Sequence, residues 1–151
     1  MNKEKYMQLA LKQGYIAAKL DEVPVGAVIV DPTSGKVIAK AHNKTMHKGN
    51  PTAHAEILAI QKACQKLKIN RLREMDMYVT LEPCTMCAAA ISFARIHNLF
   101  IGALDPKGGA VINGVRFYES ATCHHKPNIE HGICAEECAD LLKSFFKNKR
   151  T

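Results

Sequence analysis

Two short segments carry side chains able to hold a metal ion and move protons: Pro51-Thr52-Ala53-His54-Ala55-Glu56 and Leu81-Glu82-Pro83-Cys84-Thr85-Met86-Cys87. Cys84 and Cys87 stand three apart, so on a helix they share a face and reach one ion. His54 offers a third ligand from a neighbouring helix start. Two thiolates and an imidazole favour Zn²⁺ over Mg²⁺ or Ca²⁺. Three protein ligands leave one tetrahedral position open, the pattern of a catalytic zinc that activates water. Glu56 lies two residues past His54 and points elsewhere on the helix, placed to transfer protons rather than to bind metal. A redox role for the Cys-x-x-Cys pair is the competing reading. The Glu82-Pro83 before it and the partner His54 argue against that role.

These residues need elements to position them. Apolar spacing from Lys3 to Leu20 predicts an amphipathic helix. Val25 to Val30 and Val37 to Ala41 read as strands of a hairpin around the turn residues Asp31 to Gly35. After a loop from His42 to Asn50, Thr52 looks like an N-cap opening a helix with Ile57, Leu58, Ile60, Cys64 and Leu67. Met77 to Leu81 is a third strand, the Ala-rich Cys84 to Arg95 a helix, and Leu99 to Ala103 a fourth strand. Val115 to Tyr118 reads as a short fifth strand within a poorly periodic stretch. Ala135 to Lys147 closes the chain as a helix with Cys138, Leu141, Leu142 and Phe145 on one stripe. This order predicts a mixed sheet covered by helices on both faces, with the active site at strand-to-helix junctions.

The chain has 151 residues, a length expected of one domain over 1–151, and 47% hydrophobic residues, ordinary for a globular protein. No apolar run approaches the roughly 20 residues that span a bilayer, so no membrane partner is expected. The N-terminus is charged and helical in pattern rather than a signal peptide, and a cytoplasmic location is expected. In a reducing compartment the six cysteines are thiols or ligands, not bridges. Cys64 and Cys138 read as core residues. Cys123, His124, His125, His131 and Cys134 show no familiar zinc spacing. The net charge of +7 leans toward a polyanion such as nucleic acid.

The His54-Ala55-Glu56 and Pro83-Cys84-Thr85-Met86-Cys87 segments resemble the signature of the zinc-dependent cytidine and nucleobase deaminases. Further stretches narrow the match: Glu22 to Val28, Asn50 to Ile57, Tyr78 to Cys84, Gly102-Ala103 with Asp105 and Lys107, and the ending Leu141-Leu142 with Phe145-Phe146 and Arg150. Over about Tyr6 to Arg150 the chain is similar to the bacterial tRNA-specific adenosine deaminases. The resemblance implies a three-layer α/β/α cytidine-deaminase-like fold with a mixed five-stranded sheet. It implies deamination of adenosine to inosine at the tRNA wobble position by zinc-activated water, with one zinc per subunit on His54, Cys84 and Cys87. Glu56 would be the proton carrier. Asn43 would hydrogen-bond the flipped nucleoside, Asp105 would face the RNA strand, and Phe146 and Arg150 would pack over the anticodon loop. The family's homodimer is implied as well.

Blander readings stand beside several of these residues. Asn43 and Asp105 also suit turns. Lys143, Lys147, Lys149 and Arg150 suit a helix C-terminus without RNA. Phe146 also suits a dimer or core contact. Lys36, Lys40, Lys44 and Lys48 form either a solvated face or an electrostatic path for phosphates near Asn43. Two rivals remain in function. One is a zinc deaminase of a free base or nucleoside such as cytosine or guanine. The other is a non-enzymatic zinc-stabilised RNA-binding module with a fourth ligand from the Cys123 to Cys138 region.

Overall fold

A computed structural model describes residues 2–150, with the side chains of residues 2–149. Helix α1 covers Lys3–Lys19 and starts at Asn2, whose side chain accepts from the Lys5 amide at 3.0 Å. The hairpin follows as β1 (Gly26–Asp31) and β2 (Lys36–His42). Then come α2 (Ala55–Leu67), β3 (Asp76–Leu81), α3 (Thr85–Phe93) and β4 (Asn98–Ala103). A 3-10 turn at Phe117–Glu119, strand β5 (Asn128–His131) and helix α4 (Ala135–Arg150) complete the order.

The strands line up as β2-β1-β3-β4-β5 in one five-stranded sheet. β1 is antiparallel to both β2 and β3, whereas β3, β4 and β5 run parallel. Successive strand residues point to opposite faces, and both faces are apolar here. Ala27, Ile29, Met77, Val79, Leu99 and Ile101 pack under α2 and α3. Val28, Val30, Tyr78 and Phe100 pack under α1 and α4. The result is the α/β/α sandwich expected. Close approach is required where α1 crosses β1: a Cβ on Gly26 would strike the Ala10 carbonyl.

Two sequence expectations need correction. Val115 to Tyr118 is not a strand. Tyr118 instead turns inward and its hydroxyl donates to the Ala88 carbonyl at 2.9 Å. The fifth strand is Asn128–His131, which has one apolar residue, Ile129, and lies on an exposed sheet edge where no alternating pattern is needed. Nor is Thr52 the N-cap of α2. That position belongs to His54, and Thr52 is occupied by hydrogen bonds to Asn50 Oδ1. Among the described residues no helix is long and apolar enough to cross a membrane.

Candidate metal centre and catalytic cleft

β3 ends at Leu81 in the centre of the sheet, and Glu82-Pro83 lead the chain into α3. Cys84 is the N-cap of α3 and Cys87 lies in its first turn. His54 is the N-cap of α2. Both N-cap residues have extended backbone, and neither side chain bonds back to its own helix. They therefore face each other across the junction instead of closing their helices. Two helix N-termini meet here, and their partial positive charge favours thiolates and a developing oxyanion.

His54 Nδ1 lies 3.7 Å from Cys84 Sγ and 3.5 Å from Cys87 Sγ. Ordinary Zn–N and Zn–S bonds at a tetrahedral angle put such atoms about 3.5 Å apart, so the spacing suits one tetrahedral ion. All three ligand atoms fall within 4.8 Å of one another, and this is the one group of its kind among the described residues. The Cys87 hydrogen bond and the neighbouring His54 pull Cys84 down to about 4, which makes it a thiolate. Cys87 is pushed up by donating to Cys84 and by burial, and the Cys84 hydrogen bond raises His54.

Glu56 is buried two residues along α2. Burial pushes its carboxyl up to about 7, against the pull of nearby His54. A carboxyl poised there accepts or gives a proton near neutral pH. It opens, with His54 and Cys84, onto a cleft of about 250 Å³ that is also lined by Asn43, Glu82 and Asp105.

Asn43 is buried at the cleft and its Oδ1 accepts from the Ala55 amide at 2.7 Å, capping α2 from a distance. Nδ2 is the group it can offer a ligand. Asp105 serves as a turn residue at the edge of the cleft. Its Oδ1 accepts from the Lys107 and Gly108 amides, as a turn residue does, and the residue also lines the cleft. Phe146 is not brought to the cleft. It is exposed on α4, edge-on to Phe145, beside Leu142, Lys143 and Lys147. Arg150 ends α4, and its side chain lies outside the described residues. Cys123 and His125 form no ion site either: the Cys123 thiol donates to the His125 carbonyl and His125 Nε2 bonds the Ile96 carbonyl. His42 is buried, with Nδ1 3.0 Å from the Asn43 carbonyl oxygen.

Two carboxylates that sequence reasoning passed over frame the cleft. Glu82 is buried beside β3, and Oε2 accepts from the Val111, Ile112 and Asn113 amides. Its Oε1 accepts from the Asp105 amide and from Asn113 Nδ2. Glu22, equally buried, accepts from the Met46 and His47 amides and pairs with His47 Nδ1 at 2.7 Å. Burial acts to raise both, but the hydrogen bonds outweigh it and hold both below the ordinary carboxylate value. Each pins one loop at the rim. The sequence signal was an acid just before a proline, at Glu22-Val23-Pro24 and Glu82-Pro83.

Comparison with known proteins adds a family. The family model of MafB19-like deaminases matches residues 1–150. A tRNA-specific adenosine deaminase of Agrobacterium fabrum is 54% identical over 145 residues, covering 96% of this chain and 94% of the relative. That of Rickettsia bellii is 51% identical, covering 95% and 99%. A solved structure from work on A-to-I editing by tRNA:A34 deaminases at the wobble position of transfer RNA superposes with a TM-score of 0.89. It is 54% identical, covering 91% of this chain and 99% of its own.

Proposed function

The chain belongs to the family of tRNA-specific adenosine deaminases, and we infer that it converts adenosine to inosine at the wobble position of tRNA. The observation that carries the chemistry is the convergence of Glu56, His54 and Cys84 on one cleft, with Cys87 behind them within ligand distance of His54 and Cys84. We assign zinc to the three ligands, one ion per chain, on the fit of their spacing and their soft donor set. Zinc bound there supplies Lewis-acid activation of water.

The chain's own residues do the rest. Overall, water adds through oxygen at C6 of the adenine, the C6–N bond breaks, and ammonia leaves. Glu56 takes a proton from the water and delivers it to N1, so that C6 becomes electrophilic. A second proton passes through Glu56 to the departing amino group. Asn43 Nδ2 donates to the nucleoside and fixes its depth in the cleft. Asp105, held by Glu82 at the rim, faces the strand beside the extruded base. Extrusion is needed because a stacked base cannot expose C6 to a buried carboxyl. Phe146 and Arg150 are assigned to the anticodon loop from α4, outside the cleft. We also read the protein as a cytoplasmic homodimer.

The deciding experiment incubates the zinc-loaded protein with tRNA, an anticodon stem-loop, free adenosine, cytidine and guanine in parallel. Adenosine-to-guanosine changes at the wobble position, read by sequencing, are the expected result. Rapid turnover of a free base with none of the RNA would assign the protein to free-base deamination instead.

A further inference from the structure

The basic charge of this chain is segregated in a way the cleft does not use. Four lysines from Lys36 to Lys48 and five basic residues from Lys62 to Arg73 make nine of the chain's 21 Lys and Arg. Across the same span Glu56 is the one acid, and it is buried in the cleft. Acids gather at the opposite edge of the sheet instead, with Glu130 on β5 and Glu136, Glu137 and Asp140 on α4.

The fold draws four of these lysines together where α2 covers the edge strand β2. Lys62 Nζ on α2 donates to the Lys40 carbonyl on β2 at 2.7 Å. The Lys48 amide donates to the Lys44 carbonyl in the loop between them, and the Lys44 amide to that of Ala53. Burial first, and then the charges of Lys44, Lys48 and Lys40, hold the Lys62 ammonium below its ordinary value. No carboxylate pairs with any of them among the described residues. Lysines on an edge strand guard it against pairing with another chain, and that accounts for Lys36 and Lys40. It does not account for Lys44, Lys48 and Lys62, which lie off the strand. Lys44 sits between Asn43 and Thr45, both of which line the cleft. A polyanion with one base in the cleft therefore has its backbone beside this patch.

We propose that Lys40, Lys44, Lys48 and Lys62 form a second RNA-contact surface that takes backbone phosphates of the anticodon stem, independently of sequence. This rests on the reading that tRNA is the substrate. Phosphate contacts of this kind position an RNA and make its binding salt-dependent, without adding base discrimination.

The test uses Lys40→Gln/Lys62→Gln, with Lys5→Gln/Lys12→Gln on α1 as a control that removes equal charge from the other face. The zinc-loaded proteins are titrated with a fluorescent anticodon stem-loop and with the same loop lacking its stem, from 50 to 200 mM salt. On the stem-loop the Lys40/Lys62 pair should bind roughly tenfold more weakly at low salt, with a log–log salt slope shallower by about 2. Its kcat at saturating RNA should be unchanged, and so should its affinity for the stemless loop. Lys40→Arg/Lys62→Arg should restore both affinity and slope, which a purely structural role for the lysine stems would not require. The idea is overturned by an unchanged slope in the Gln pair, by an equal effect in the α1 control, or by a fall in kcat at constant affinity. If the parent protein binds the stem-loop but forms no inosine, the substrate reading fails, while the slopes still decide the patch.

Discussion

Glu56 and His54 are two residues apart on one helix and have separable duties. Glu56→Ala should keep a full zinc complement, measured by metal analysis, yet lose about 10³-fold or more in inosine formation. His54→Ala should lose zinc and activity together in the same assays. Near-normal turnover in the first variant would remove Glu56 from the reaction. These residues were legible in sequence because their chemistry is intrinsic to residue type and spacing: two thiols three apart, an imidazole, and a carboxyl off the ligand face. The roles of Glu22 and Glu82 were not legible, because most of their partners are backbone amides, which every sequence contains. Asn43 lay between. Its presence at the cleft follows the motif, but the hydrogen bond that capped α2 could not be read from residue type alone.

At the scale of elements, the rim loop from Asp105 to Asn113 owes its shape to one side chain. Glu82→Gln removes a charge and turns an amide donor toward donors that now lack an acceptor. The expected loss is about 2–4 kcal/mol of folding stability, read by urea unfolding. Gly109→Ala approaches the same clasp from the other side, since its Cβ would collide with the Glu82 carboxyl. It should raise KM for the stem-loop and lower the urea midpoint, while zinc content stays at parent level. β5 shows why some elements stay hidden in a sequence. Its four residues are recruited by the free edge of β4, through pairs such as Leu99 with Ile129, rather than by their own pattern. Of the strands that were legible, β1, β3 and β4 are buried on both faces, where apolar runs are obligatory, whereas the partly exposed β2 was legible through the turn that joins it to β1.

Across the whole molecule, acid should act through the buried carboxylates. Glu22 and Glu82 are held below their unfolded value of about 4.3, so the unfolded chain binds more protons on acidification. Their contribution is complete above about pH 5 and drains away as pH falls through the folded values. Asp76 works the other way: burial raises it, and its Oδ2 has no hydrogen-bond partner. Thermal melting should therefore fall between about pH 5 and 3, with a shallower acid limb in Glu82→Gln, which has one carboxylate fewer to protonate. The charge map shows the limits of linear reading at this scale. Lys62 joins the loop lysines only because α2 folds back over β2, and nothing in the spacing of Lys36 to Lys48 announces it. The position of β3 has a consequence for assembly. His54 follows the β1–β2 hairpin, whereas Cys84 and Cys87 lie just beyond β3, the strand that pairs with β1 in the middle of the sheet. The three donors are therefore brought to chelating distance by the step that closes the middle of the sheet. During refolding, tight zinc uptake timed with a colour indicator should lag behind hairpin formation and report the moment at which the two halves of the sandwich join.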